Sequence, residues 1–343
     1  FVNTFFRFFS INFLLYKNNF KTNSNNGDIM QINLGYVGNP PTLLDIYSHN
    51  LTFKEFSKYE YDKGIDLLTK RIKLNFINFL KVLKYNYDNK IKFYRMTHTM
   101  FPLLTHPNVN IDYKEVFKDD FKNLKEIIDK YNIRIDTHPD EFCLLTSEKN
   151  NVTNNSIEIL KFHLEIFKLL GIDGKCVLHL GSSKPTKDEA LKRFRDNFNK
   201  LPGELKKLII LENDDKTYTV TDTLLICEEL NIPMVLDYHH FICNHLKSER
   251  IDKLLPRVIK TWDNTNLNPK MHFSSSLNSK QKRNHSTYLN YNSFIKFLKL
   301  LKPLNTDIDI MLEAKGRDES LFRLVRQLKF YKDFKVKGTT IIL

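Results

Sequence analysis

The chain has 343 residues, of which 41% are hydrophobic, so it can bury a sizeable core and wholesale disorder is excluded. Lys and Arg number 53 against 40 Asp and Glu, and the resulting net charge of +13 fits either a polyanionic partner or a solvated Lys-rich surface. Only 10 Gly and 11 Pro exclude collagen-like chains, while four Cys without a C-x-x-C pair argue against a disulfide scaffold and for a reduced, cytoplasmic setting.

The first 29 residues differ from the rest of the chain. Residues 1–27 are rich in Phe and carry Arg7, Lys17 and Lys21 but no acidic residue. A targeting peptide is one interpretation of such a stretch. The other, which we adopt, is that residues 1–29 are an extension without a fold of its own and that a single domain spans 30–343. No uninterrupted apolar run approaches the roughly 20 residues that a membrane span needs.

From Met30 onward, short apolar or β-branched runs alternate with longer segments whose apolar residues recur at spacings of three and four. The predicted strands are 31–37, 91–96, 133–137, 176–180, 208–212, 233–237, 270–273 and 308–313. The predicted helices are roughly 63–87, 114–131, 155–170, 186–201, 221–230, 249–261, 288–302 and 318–330, and a long loop covers 38–60. Strict alternation predicts a parallel sheet with helices outside, and eight such units favour a (β/α)8 TIM barrel.

The active site of such a barrel lies at the C-terminal ends of its strands. His, Asp or Glu residues end or follow seven successive predicted strands. They are His106 after strand two, His138 after strand three, His179 at the end of strand four, Glu212 of strand five, Asp237 of strand six with His239 and His240 beyond it, Lys270 and His272 on strand seven with His285 in the loop that follows, and Glu313 at the end of strand eight.

Each of these residues alone has a plain structural explanation, such as a satisfied hydrogen bond or a helix cap. Together they are harder to explain, because unpaired acids at one barrel mouth would repel one another. Divalent cations, which take nitrogen and oxygen ligands, relieve such a cluster, and the imidazole-rich set suits Mn²⁺ or Zn²⁺ better than Mg²⁺ or Ca²⁺. We therefore predict a site for two or three metal ions.

A metal cluster and a basic body together favour phosphoester cleavage on a polyanion. Aromatic residues near the rim would help to hold distorted bases by stacking. Tyr36 and Phe142 are the candidates, although either could equally fill the core.

Eight segments resemble those of the UV damage endonuclease family, in the same order along the chain. They are LGYVG, RMTHTMFPLLTH, RIDTHPDEFCLL, VLHLG, LIILENDDKTYT, PMVLDYHH, KMHFSS and MLEAKGRDESL. The resemblance implies a TIM barrel related to that of endonuclease IV. It implies an enzyme that nicks DNA immediately 5′ to ultraviolet photoproducts, and often to abasic sites, leaving a 3′-hydroxyl and a 5′-phosphate. It also implies a cluster of divalent metals, commonly Mn²⁺, with Zn²⁺ or Co²⁺ as alternatives.

The resemblance further implies a role for individual residues. The metal ligands would be His106, His138, His179, Glu212, Asp237, His240, His272, His285 and Glu313. Glu212 and Glu313 would act in catalysis together with Lys270, either as a carboxylated lysine beside the metals or as an unmodified lysine holding a phosphate. Tyr36, Glu141 and Phe142 would probe the lesion, with Glu141 in place of the more usual Gln.

These observations predict a monomer that acts on damaged double-stranded DNA in the cytoplasm, on the nucleoid in a bacterium, without a membrane or an obligate protein partner. Three alternatives stay open. An abasic-site endonuclease of the endonuclease IV type would carry the same metals. A metal-dependent sugar isomerase would explain the metals but not the charge, and a non-catalytic DNA-binding protein would explain the charge but not the His and carboxylate ring.

Overall fold

The computed structural model describes residues 29–139 and 143–343, and it confirms the TIM barrel. Eight parallel strands follow one another around the sheet in the order β3-β2-β1-β8-β7-β6-β5-β4. They are β1 (Gln31–Val37), β2 (Phe93–Arg95), β3 (Arg134–Asp136), β4 (Cys176–His179), β5 (Ile209–Glu212), β6 (Met234–Asp237), β7 (Lys270–Phe273) and β8 (Ile308–Leu312). All eight coincide with predicted strands, some of them shortened by a residue or more at an end.

The barrel closes between β3 and β4 through a single bridge. Thr137 pairs in parallel with Cys176, and the backbone N–H of Val177 donates to the carbonyl of Thr137 at 3.0 Å. A C-terminal hairpin, β9 (Lys335–Lys337) and β10 (Thr340–Ile342), adds two antiparallel strands outside the barrel. Since β10 pairs with the first residues of β1, the hairpin marks the end of the barrel opposite the predicted site.

Helices connect successive strands, as the spacing of apolar residues predicts. The helices are α1 (Phe53–Phe56), α2 (Tyr61–Asp88), α3 (Tyr113–Val116), α4 (Lys118–Tyr131), α5 (Asn150–Leu170), α6 (Lys187–Lys200), α7 (Gly203–Leu208), α8 (Val220–Leu230), α9 (Tyr238–Cys243), α10 (Ile251–Lys260), α11 (Tyr291–Leu301) and α12 (Arg317–Leu328). Four of them, α1, α3, α7 and α9, are short turns of helix at the margins of predicted loops or elements. Of these, α9 matters for the site because it carries His239 and His240.

Several helices end at a residue in the left-handed backbone conformation, which fixes where the next strand begins. Gly171 follows α5 with φ of 67°, and Asn231 follows α8 with φ of 54°. Such residues satisfy the last carbonyls of a helix and turn the chain back toward the sheet. Within the described ranges, none of the helices has the length and apolar character required to cross a membrane.

Candidate metal centre

The structure brings eight of the nine predicted metal ligands to the C-terminal rim of the barrel. Strand direction explains this placement, because parallel strands all end at the same edge. His179, Glu212 and Asp237 end β4, β5 and β6, and His272 lies one residue before the end of β7. His138 and Glu313 follow β3 and β8, His240 lies on α9, and His285 lies in the loop after β7.

Glu212 lies at the centre of the cluster and is almost completely buried. One carboxylate oxygen, Oε2, is 3.4 Å from His138 Nε2 and 3.8 Å from His179 Nε2. The other, Oε1, is 2.9 Å from His272 Nδ1 and 3.4 Å from His240 Nδ1. A carboxylate that faces imidazoles with both oxygens is suited to bridge two metal ions.

Three carboxylates lie around the ring of His272. Its Nδ1 lies 2.9 Å from Glu212, 3.2 Å from Glu313 and 4.0 Å from Asp237. Glu313 also pairs with the guanidinium of Arg95, and its Oε2 lies 4.0 Å from His285 Nδ1. The eight residues therefore form one continuous network and not isolated pairs.

Backbone carbonyls orient three of the imidazoles. The Nδ1–H groups of His138, His179 and His240 donate to the carbonyls of Pro139, Glu212 and Asn213, at 3.0, 3.3 and 2.9 Å. A donor bond at Nδ1 fixes the tautomer and leaves a lone pair on Nε2, the arrangement found in metal-binding histidines.

The charges of the cluster depend on one another. Burial opposes ionisation of Glu212, but His272 and His179 outweigh it and hold the pKa of this carboxyl well below its usual range. Burial likewise disfavours the His240 cation, but Asp237, Glu212 and Glu313 raise the pKa of His240 to about 10. The buried acids of the cluster thus favour positive charge close to them.

Metal ions fit these residues. Glu212 Oε2, Asp237 Oδ2 and His272 Nε2 are buried without a hydrogen-bond partner in the described part of the chain. Leaving such atoms unpaired is costly unless something else binds them. Two triads, His138 with His179 and Glu212, and Glu212 with Asp237 and His272, each offer ligand atoms within 4.8 Å of one another. The two triads share Glu212, so one carboxylate is available to two neighbouring ions.

His106 is the predicted ligand that the structure does not bring to the cluster. Its ring stacks on Phe53 with centroids 3.9 Å apart, and its Nδ1 accepts from the backbone N–H of Asn108 at 3.2 Å. Among residues 29–139 and 143–343 it makes no ion pair or ring contact with any of the other eight predicted ligands. The assignment of His106 as a ligand stays a prediction.

The two neighbouring histidines of α9 differ in their contacts. His240 faces Glu212, whereas His239 Nε2 lies 3.9 Å from the Cys243 sulfur and its ring lies 5.4 Å from the ring of His285. His240 is therefore the member of the pair that belongs to the cluster.

Lys270 lies in the barrel interior below the cluster and is completely buried. Its Nζ is 3.4 Å from Asp136 Oδ2 and 5.3 Å from the centre of the Phe93 ring. Burial lowers the pKa of the lysine to about 8, although Asp136 opposes the change. The amine has no exposed surface, and both predicted roles, a carboxylated lysine and an unmodified lysine that holds a phosphate, stay predictions.

Tyr36, a predicted lesion contact, is a core residue in this structure. Its ring is fully buried, packs edge-to-face against Tyr94 and donates a hydroxyl hydrogen bond to Asn86 of α2 at 2.8 Å. The side chain packs between β1 and α2, and its role as a lesion contact stays a prediction. Glu141 and Phe142, the other predicted lesion contacts, lie outside the described residues.

Two residues of the site were not predicted from the sequence. The side-chain amide of Asn213 makes two hydrogen bonds to the backbone of Asp237. It donates to the Asp237 carbonyl at 3.0 Å and accepts from the Asp237 N–H at 2.9 Å. Arg95, at the end of β2, pairs with Glu313. Both are polar residues at strand ends, so the positional reasoning that found the histidines would have found them had amides and cations been included.

A groove of about 570 Å³ opens above the cluster. His138, His179, His240 and His285 line its floor, and the loop of residues 214–217 together with Arg283 lines its walls. Arg283 lies 3.6 Å from Asp215, so the loops after β5 and β7 meet beside the groove.

Comparison with known proteins identifies the family. The sequence profile of the family described as UV-endonuclease UvdE matches residues 32–342. This chain belongs to the UV-endonuclease UvdE family. It is 38% identical over 309 residues to the UV DNA damage endonuclease of Bacillus cereus (strain B4264), covering 89% of this chain and 97% of that protein.

Solved structures support the same placement. The crystal structure of SacUVDE superposes with a TM-score of 0.77 at 28% identity, over 87% of this chain and 98% of that one. Endonuclease IV from Thermus thermophilus superposes with a TM-score of 0.50 at 13% identity, over 71% of this chain and 91% of that one, which shows a shared fold alone. Membership in the UvdE family thus agrees in sequence and in structure.

Proposed function

We propose that the chain is a metal-dependent DNA repair endonuclease that cleaves the phosphodiester 5′ to ultraviolet photoproducts, leaving a 3′-hydroxyl and a 5′-phosphate, and that also accepts abasic sites. Membership in the UV-endonuclease family supports endonuclease activity on DNA. The single observation that carries the metal dependence is the pair of ligand triads that share the buried Glu212. The proposal includes a monomer that works in the cytoplasm without an obligate protein partner.

The residues that would hold two or three ions, most simply Mn²⁺, are those of the rim network. They are His138, His179, Glu212, Asp237, His240, His272, His285 and Glu313, with His106 as a ninth member from the loop after β2. Bound divalent ions would supply Lewis-acid stabilisation of the charge on the attacking and leaving oxygens of the phosphodiester.

The protein itself does the positioning. Glu212 faces imidazoles with both oxygens, and backbone carbonyls hold three of those imidazoles in one orientation. Asn213 fixes the backbone of Asp237, and Arg95 restrains Glu313. A site supported in this way keeps its ligands in place while the substrate enters, which lowers the cost of reaching the reactive geometry.

The substrate enters along the groove above the cluster. The net charge of +13 favours a polyanion, and damaged bases are easier to displace from a duplex than intact ones. Three lysines of the rim loops are exposed and suited to contact the DNA backbone, namely Lys184, Lys280 and Lys282. Lys187, by contrast, already pairs with Asp222 at 2.8 Å. Lesion contact by Glu141 and Phe142 stays part of the proposal.

A panel of labelled duplexes tests this function. Each carries one pyrimidine dimer, one 6-4 photoproduct, one abasic site or no lesion, and each is incubated with the protein and Mn²⁺. We expect incision of both photoproduct duplexes and none of the intact duplex. Cleavage of the abasic duplex alone would favour the endonuclease IV type, and aldose turnover without any nicking would favour the isomerase.

A further inference from the structure

A second cavity, of about 610 Å³, adjoins the metal centre at the same rim, and we call it the cationic cavity. Its cationic lining residues are Arg95, Arg283, Lys315 and Arg317. Two proposed metal ligands, His285 and Glu313, form the wall that faces the cluster. Arg283 also lines the groove above the cluster, so the two cavities share a side.

Only part of the positive charge in the cationic cavity is compensated. Arg95 pairs with Glu313, and Arg283 lies 3.6 Å from Asp215. Lys315 and Arg317 are exposed, and within the described ranges neither has a carboxylate oxygen within 4.0 Å of its side-chain nitrogens. Two uncompensated cations beside a metal site favour an anionic ligand.

Arg317 is held at the cavity by its backbone and its side chain. Its φ is +45°, which is uncommon for a residue other than glycine and concentrates at functional sites. Its guanidinium donates to the carbonyl of Asn39, in the loop after β1, at 2.6 Å. The remaining guanidinium N–H groups stay available to a ligand, since Arg presents five donors in a planar fork.

We propose that the cationic cavity binds the backbone phosphate next to the scissile one in the same DNA strand, through Lys315 and Arg317. This inference rests on the proposed function and names a second anchoring point for its substrate. When the scissile phosphate lies at the metal centre, the neighbouring phosphate is the anion that continuity of the strand brings beside it. Phosphate contacts fix the register of a nucleic acid without reading its sequence. Lys315 and Arg317 are thus positioning residues for the cut.

The test compares two charge-matched double variants on a duplex with one photoproduct. K315Q/R317Q removes the two cations of the cavity. R326Q/K337Q removes one Arg and one Lys from the opposite end of the barrel, where Arg326 lies in the last turn of α12 and Lys337 on β9, both exposed. Thermal melting checks that both variants fold. If K315Q/R317Q does not fold, the single variant K315Q takes its place in the test.

Dissociation constants are measured against salt concentration in the presence of Ca²⁺. For K315Q/R317Q we expect the slope of log affinity against log salt to fall in magnitude by roughly one, at about 0.9 for the single phosphate contacted, with roughly tenfold weaker binding. K315Q alone should lower the slope by less than the double variant, since Arg317 still contacts the phosphate. The control variant should keep the slope of the parent protein. An unchanged slope in K315Q/R317Q would overturn the phosphate site.

A chemical double-mutant cycle locates the phosphate. A neutral methylphosphonate replaces the phosphate on either side of the scissile position, one at a time. At one of these two positions the substitution should weaken the binding of the duplex by the parent protein. The same substitution should cause no further loss of affinity in K315Q/R317Q. Additive losses at both positions would overturn the proposal. A parent protein that neither binds nor nicks the duplex would instead overturn the proposed function.

Discussion

Glu212 is the side chain that joins the two ligand triads of the rim. Its replacement by Gln keeps the size but removes the charge that both triads share. We expect Glu212→Gln to abolish one of two Mn²⁺ binding events in calorimetry and to abolish nicking, while DNA affinity is retained. Glu204→Gln makes the same chemical change at an exposed position beside Lys168 on the far end of the barrel and should alter none of the three. Normal turnover by Glu212→Gln would remove this residue from the site.

Tyr36 provides a second test at the scale of single residues. Because its hydroxyl donates to the buried Asn86, Tyr36→Phe should lower the free energy of unfolding by about 1 kcal/mol. DNA affinity should not change, since the ring has no exposed surface. Denaturant titration and a binding assay on the same preparation separate the two effects. Weaker binding to damaged duplex with unchanged stability would restore the lesion-probing role.

The sequence predicts the candidate site well where strand order alone decides position. His179, Glu212 and Asp237 end consecutive strands, and parallel strands must bring such residues to one rim. The sequence predicts the site poorly where a side chain can lie either in the core or at the rim. The aromatic ring of Tyr36 suits the core as well as the rim, and stacking on Phe53 determines how His106 lies in its loop.

At the scale of elements, the approach of β1 to β2 depends on a residue without a side chain. A Cβ placed on Gly35 would press on the carbonyl group of Phe93, which is backbone and cannot rotate away. We expect Gly35→Ala to lower the free energy of unfolding by about 2 kcal/mol, in the range of overpacked cores. Gly203→Ala is the control, because an added Cβ at the start of α7 meets nothing within 4 Å.

Chemical denaturation of the two Gly variants checks this difference. Gly203→Ala should be neutral or stabilising by up to about 1 kcal/mol. Equal stability of the two variants would show that β1 can shift away from β2 without cost.

The pattern of eight strands and eight long helices could be predicted because each element carries its own periodicity. The elements that were missed are short or depend on distant partners. α1 and α9 are only four and six residues long, too short for periodicity to show. The strand β10 forms against the start of β1, some 300 residues earlier in the chain, and β9 pairs with β10; local sequence does not report such long-range pairing.

At the scale of the whole molecule, the barrel is expected to fold without its first 29 residues. β1 begins at Gln31, and Met30 is already buried. A protein that starts at Met30 should therefore keep the melting temperature of the full chain within about 2 °C and should keep its nicking activity. Differential scanning calorimetry of both proteins checks this, and a loss of several degrees would mean that the extension packs on the barrel.

We propose that a metal cluster at the barrel rim cleaves damaged DNA. The most direct measurement is incision of an end-labelled duplex carrying one photoproduct, by protein stripped of metal and then titrated with Mn²⁺, with products resolved at single-nucleotide length. We predict no cleavage before Mn²⁺ is added, saturable cleavage directly 5′ to the lesion afterwards, and none with Glu212→Gln. Cleavage in the presence of a chelator, or protein that binds the duplex and never cuts it at any Mn²⁺ concentration, would contradict the account.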